Sequence, residues 1–157
     1  MRVAVLTISD KGSRGERVDE SGPYIKDKML EKGAKIVAFE IVPDELEQIK
    51  DKLIHYADDV GADVVLTTGG TGLSPRDVTP EATLAVIDRK ASGFTEAIRV
   101  ESLKATPNAM LSRAESGLRG STIIINLSGS LKAVREQLDV LIPVLPHALE
   151  MLQGKEH

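Results

Sequence analysis

Residues 67–82, TTGGTGLSPRDVTPEA, hold the positions in this chain best suited to chemistry on an anion. Gly69, Gly70 and Gly72 fall within four residues, directly after the apolar run 62–66. Glycines at that density let backbone approach a ligand closely and aim N–H groups at negative charge. Thr79, Pro80 and Glu81 then spell a helix start, with a hydroxyl at the N-cap, proline at the first helical position and an acid in the first turn. A helix start adds unpaired N–H donors and partial positive charge. The sequence therefore predicts a phosphate cradle formed by Thr68, Gly69, Gly70, Thr71 and Gly72, with Asp77 at its edge. Two common phosphate loops are excluded. No Lys-Ser/Thr pair follows the last glycine, as a Walker A loop requires, and Pro75 follows where a dinucleotide fingerprint carries its third glycine. A plain turn between strand and helix is the competing reading, and the Thr, Arg, Asp and Thr-Pro-Glu around the glycines favour a ligand site.

Other polar positions fall just beyond apolar runs. Ser9 and Asp10 follow the run 3–8 and read equally as the start of a turn or as part of a binding rim. Ligands of open parallel sheets bind beyond the carboxyl ends of the strands. Asp44 follows the run 35–42 and also has two readings. It is a good helix N-cap, with Glu47 completing a capping-box-like pattern, and it is a carboxylate on the same rim as the glycine loop. Asp77 reads likewise as a turn residue or a rim carboxylate. Two bare carboxylates beside a phosphate cradle would repel the anion, so Asp44 and Asp77 together predict a hard cation shared with phosphate oxygens. Magnesium suits, since it takes one or two protein carboxylates and completes its shell with water and substrate. Ser128, Gly129 and Ser130 repeat the strand–glycine–helix device, with Ser130 as N-cap. His55, His147 and His157 have no metal-ligand spacing, and none lies near Ser112 in sequence to act as its base. Arg113 reads as an ordinary salt-bridge residue from its type alone.

The elements that must position these residues alternate. Strands are expected at 3–8, 35–42, 62–66 and 122–127, with an edge strand at 111–118 turning back through Arg119 and Gly120. Helices are expected from Ser21 to Lys32, closed by Gly33, and from Asp44 to about Val60, with Leu46, Ile49, Leu53 and Ala57 at helical spacing. Further helices follow from Thr79 to a basic end at Arg89–Lys90, from Ser92, from Ser130 and from Pro146. Residues 11–17 read as a polar, mobile loop. This alternation predicts an α/β fold, a three-layer αβα sandwich on a mainly parallel sheet, with an antiparallel edge pair as an option, in one domain spanning 1–157.

Composition narrows the function classes. Hydrophobic residues make up 41% and charged residues 28%, as in globular domains, while aromatics at 3% leave the core to aliphatic side chains. Cysteine is absent, which rules out a disulfide framework or thiolate zinc site and fits a cytoplasmic protein. A net charge of −4 argues against non-specific nucleic-acid binding. No apolar run reaches membrane-spanning length, and the start MRVAVLTISD is too short and polar for a signal peptide.

The glycine stretch closely resembles the signature of the MogA/MoaB-type molybdenum-cofactor proteins, the molybdopterin adenylyltransferase family, which includes the G domain of gephyrin and of its plant counterpart. The resemblance also takes in ISD at 8–10, the Asp19–Ser21–Gly22–Pro23 segment, MLSR at 110–113 and the glycine turn after Leu127, so it covers nearly the whole chain. It implies the αβα fold, a homotrimer and possible docking with other pathway proteins. It implies that molybdopterin and MgATP are converted to adenylyl-molybdopterin and pyrophosphate, with functional aspartates at Asp44 and Asp77. Ser112, with Arg113 in the same motif, is then expected near pterin or phosphate. Two other activities stay open: a non-catalytic molybdopterin carrier or scaffold, and a nucleotide or phosphate hydrolase on the same fold. One departure is visible. The family usually writes its second turn LPGxP, and here Ser128 and Leu131 stand in place of the prolines.

Overall fold

Strands β1 (Arg2–Ile8), β3 (Val64–Thr68) and β6 (Thr122–Leu127) are apolar almost throughout, because helices cover them on both faces. In the computed structural model, which describes residues 1–155, every residue of β3 and β6 is buried. With β2 (Lys35–Val42), β4 (Arg89–Lys90) and β5 (Ser116–Arg119) they form one six-stranded sheet in the order β2-β1-β3-β6-β5-β4. The pairs β2–β1, β1–β3 and β3–β6 are parallel, and β5 runs antiparallel to both β6 and β4. The chain leaves β1 toward β2 and returns to β3 on the other side of β1. This reversal makes a topological switch point.

Side-chain alternation sorts the core into two layers. Val3, Val5, Leu66 and Ile125 face α2 (Ser21–Glu31), α5 (Gly93–Leu103), α6 (Leu131–Leu141) and α7 (Leu145–Leu152). Ala4, Leu6, Val65 and Ile124 face α3 (Leu46–Ile54) and α4 (Thr79–Val86). This is the expected three-layer arrangement, and the antiparallel edge pair is present. No helix among the described residues is long and apolar enough to cross a membrane.

Several local expectations are corrected. Helix α3 begins at Leu46 with Glu45 as its cap residue, so Asp44 and Glu47 form no capping box. The helix continues as a π-helical turn, His55–Asp59, in which the exposed His55 bonds Asp59. Residues 11–17 are not all loop, because Ser9 accepts the Gly12 N–H and caps a short helix α1 (Asp10–Ser13). Arg89 and Lys90 do not end a helix. Helix α4 stops at Val86, and the pair forms edge strand β4. The 111–118 strand shortens to Ser116–Arg119, preceded by a 3-10 turn at Pro107–Leu111. His147 is an exposed position on α7, and His157 falls outside the described residues.

One buried polar network ties the edge to the centre. Asn126, with no exposure, donates to the hydroxyls of Thr67 (3.0 Å) and Thr83 (2.9 Å) and accepts the Glu115 N–H at 3.1 Å. Asn126→Leu leaves these groups without that partner, and the expected loss is about 2–3 kcal/mol. Thermal melts should show Tm falling by about 5–10 °C. A Tm unchanged from wild type would mean that the network adds nothing to stability.

Candidate functional site

Strand register brings the site together. Ile8 pairs with Val42, Thr7 with Thr68, and Thr68 with Leu127, so four parallel strands end at one level. The residues just beyond those ends are Ser9 and Asp10, Asp44, Gly69 and Gly70, and Ser128 to Ser130. A cavity of about 650 Å³ opens there, at the switch point between β1 and β3. Of the residues singled out from sequence, Ser9, Asp44, Thr68, Gly69, Gly70, Asp77, Gly129 and Ser130 line it.

The glycine loop needs its glycines. Gly69 and Gly70 have φ of +101° and +70°, a region that side chains disfavour. A Cβ on Gly69 would collide with the Ile8 carbonyl, and one on Gly70 with the Thr79 hydroxyl. Thr79 is not the N-cap. It is helical, fully buried, and its hydroxyl donates to Gly69 O at 2.9 Å while its N–H donates to Gly70 O at 3.1 Å. Its hydroxyl thus fastens the helix start to the loop instead of capping the helix.

Arg113 holds the loop from behind. Its guanidinium donates to the carbonyls of Gly72 (2.8 Å) and Asp77 (2.7 Å) and to Glu81 (2.7 Å), and its N–H donates to Thr71 O at 2.8 Å. Thr71, Gly72 and Arg113 therefore sit outside the cavity wall, as the frame of the loop. Ser112 and Ser128 line instead a neighbouring cavity of about 310 Å³, bounded by α5 and α6, which shares Ser130 with the first. Arg99 in that wall donates to Ser112 O and Ala114 O.

The carboxylates are arranged in pairs. Asp10 N–H donates to Asp44 Oδ2 at 2.8 Å, and Asp44 N–H donates to Asp10 Oδ1 at 3.0 Å. Arg76 then bridges both Asp10 oxygens (3.0 and 2.9 Å) and Glu45 (3.0 Å), a strap that sequence reasoning did not assign. The Arg76 hydrogen bonds hold the Asp10 carboxyl below its usual range. Asp44 moves the other way. Burial raises its pKa first, and the charges of Asp10 and Asp77 add to the rise. Asp77 Oδ2 accepts the Ser74 N–H at 3.0 Å. Each of Asp44 and Asp77 thus has one oxygen on a backbone donor, and no donor among the described residues meets the other oxygen.

The far wall was less legible. Asp19 accepts the Thr7 hydroxyl at 2.7 Å and the Gly22 N–H at 3.0 Å, and the Ser21 hydroxyl donates to Gly129 O at 2.8 Å. Thr7, Asp19 and Ser21 all line the cavity, as do Arg17 and Glu20. The Asp-x-Ser-Gly-Pro spacing was the available signal. Histidine and cysteine are absent from the described lining, so the bowl offers backbone donors, hydroxyls and carboxylates. Such a set positions phosphates and a cation more readily than it moves protons.

A loop of positive-φ glycines at the switch point of a three-layer αβα sheet defines the class as an α/β protein with its cavity beyond the strand ends. Residues 4–147 match the family model of the probable molybdopterin binding domain, and the chain belongs to that family. It is 40% identical to the molybdopterin adenylyltransferase of Helicobacter pylori, over 98% of this chain and 89% of that one. It is 41% identical to gephyrin of Dictyostelium discoideum over 98% of this chain, which spans only 23% of gephyrin. The crystal structure of the molybdopterin biosynthesis enzyme MoaB from Thermus thermophilus superposes with a TM-score of 0.91 at 49% identity, covering 98% of this chain and 97% of that one.

The raised Asp44 pKa has a consequence for stability. Its favourable contribution is full below the ordinary carboxylate pKa and is lost as pH rises through the folded value. Asp44→Asn keeps an acceptor for the Asp10 N–H and removes the buried charge. Ligand-free Asp44→Asn should therefore melt above wild type at neutral pH, with the gain shrinking as the solution is acidified. Melting curves across pH test this, and a variant less stable at every pH would overturn it.

Proposed function

We propose that this protein adenylylates molybdopterin. The convergence of Gly69 and Gly70, Gly129 and Ser130, Asp44 and Asp77 around one cavity is the observation that carries the reading. Membership in the molybdopterin-binding family and 40% identity to a molybdopterin adenylyltransferase support it. In the reaction a terminal phosphate oxygen of molybdopterin attacks the α-phosphorus of ATP. A new P–O bond forms, the bond to the β-phosphate bridge breaks, and pyrophosphate leaves. Backbone of Gly70 holds phosphate oxygens, Gly69, whose N–H is given to Leu127 O at 3.2 Å, shapes the loop, and Ser9, Asp10, Thr68, Gly129 and Ser130 complete the rim. Ser112, Arg113 and Ser128 act from the adjoining wall and the loop frame.

Magnesium fits the residues present. Asp44 and Asp77 raise no three-carboxylate cage among the described residues, and each keeps an oxygen clear of backbone donors. Two carboxylates with substrate phosphates and water are what this ion takes. The upward shift of Asp44 comes first from burial and in smaller part from the charges of Asp10 and Asp77, and a cation would relieve both. When bound, magnesium supplies charge neutralisation to the phosphates. We also place the protein in the cytoplasm as a single-domain subunit of a homotrimer, exchanging pterin with other proteins of the pathway.

The direct test is pyrophosphate release from MgATP, with and without purified molybdopterin, tracking AMP transfer to the pterin. Release should depend on pterin. Pterin binding without release would mean a carrier, and release without pterin a hydrolase. Asp77→Asn retains an acceptor for the Ser74 N–H, so its Tm should stay near wild type while turnover falls about a hundredfold. Full activity in a stably folded Asp77→Asn protein would remove Asp77 from the mechanism.

A further inference from the structure

Gln137 lies on α6 and is 5% exposed. Its carboxamide is given wholly to one residue: Oε1 accepts the Ser128 N–H at 2.9 Å and Nε2 donates to Ser128 Oγ at 2.8 Å. Burying a glutamine needs both ends paired, and Ser128 satisfies both. A proline at 128 would have no N–H to offer and no hydroxyl. The serine is therefore what makes this grip available, and the grip replaces ring stiffness as the restraint on the turn.

The gripped turn is part of the site. Ser128 O accepts the Thr68 hydroxyl at 2.6 Å, and Gly129 O accepts the Ser21 hydroxyl at 2.8 Å. Gly129 and Ser130 line the larger cavity, while Ser128, Ser130 and Gln137 line the smaller one. The turn is thus the wall between the two cavities. Because peptide units are planar, rotation at Ser128 would re-aim the N–H groups that follow it. We propose that Gln137 is a positioning residue for substrate binding. By holding Ser128 through N–H and hydroxyl together, it fixes the Ser128–Ser130 turn in the orientation that receives a substrate phosphate. The substrate's identity rests on the adenylyl-transfer reading; the grip and its effect on phosphate binding do not.

Gln137→Met keeps the length of the side chain and removes both hydrogen bonds, and Ser128→Ala removes only the one to the hydroxyl. Gln137→Met should weaken the calorimetric Kd for magnesium pyrophosphate and raise KM in the pterin-dependent assay, each about tenfold, with kcat within about twofold of wild type. Ser128→Ala should move both in the same direction by about threefold. The double variant should be no worse than Gln137→Met alone, since the two side chains act as one unit. Gln137→Met with a lowered Tm but wild-type Kd and KM would make Gln137 a purely stabilising residue and overturn the proposal. If Gln137→Met does not fold, Ser128→Ala decides, and an unchanged Kd there overturns it. A wild-type protein that binds magnesium pyrophosphate but transfers no adenylyl group sinks the transferase reading and leaves the Kd comparison to judge the grip. A wild type that transfers, beside a Gln137→Met protein of unchanged Kd, sinks the grip alone.

Discussion

The ladder joining β1, β3 and β6 is the constraint on which the rest of the site depends. Hydrogen bonding in parallel strands fixes register, and here it sets Thr7 beside Thr68 and Thr68 beside Leu127. A slip of one residue would turn Val5, Leu66 and Ile125 from one helical layer to the other, so the two apolar layers hold the register. Once the strand ends are level, their next residues must share a rim. Asp10 and Asp44 illustrate this, because each lies two residues past a paired strand end and each accepts the other's N–H. The site is a consequence of core packing before it is a set of polar contacts.

Two turns cross that rim, and each is held from outside the cavity. Arg113 grips the glycine loop through the carbonyls of Gly72 and Asp77. Gln137 grips the second turn through Ser128. A guanidinium has only donors and suits carbonyls, whereas a carboxamide suits an N–H and a hydroxyl at once. Both turns are thus held by side chains from neighbouring segments as well as by the strands that lead into them. Preorganised donors on turns held this way lose little on binding and act most strongly where water is excluded.

Much of this was legible in sequence. Continuous apolar runs predicted β1 and β6 closely, because strands covered on both faces need no polar alternation, and the β-branched run of edge strand β2 marked it although it stays partly exposed. The glycine loop was legible because few residue types tolerate positive φ. Side-chain partners were not. Thr79 and Asp44 looked like caps, since capping residues and residues that hydrogen-bond across a rim are the same types. Only the fold shows that Thr79 turns to Gly69 and Asp44 to Asp10. Arg113 has the same ambiguity, for arginine serves phosphate and carbonyl alike. Its packing against the loop settles which groups it touches. Arg89 and Lys90 were misassigned because a two-residue strand has no periodicity to read.

Electrostatics makes the rim coherent as a place for a cation and an anion together. Asp10 is compensated by Arg76, and Asp19 by the Thr7 hydroxyl and Gly22 N–H. Asp44 is only partly compensated: burial raises its proton affinity first, the Asp10 N–H draws it back down, and the charges of Asp10 and Asp77 add smaller rises. A fold stabilised without ligand would have no reason to keep that charge, since an amide makes the same backbone contact at lower cost. The carboxylate is intelligible if the missing positive charge arrives with the substrate. Under the proposed adenylyl transfer, binding would gain from neutralising this partly desolvated charge, which would tie affinity for the phosphate to the cation that travels with it.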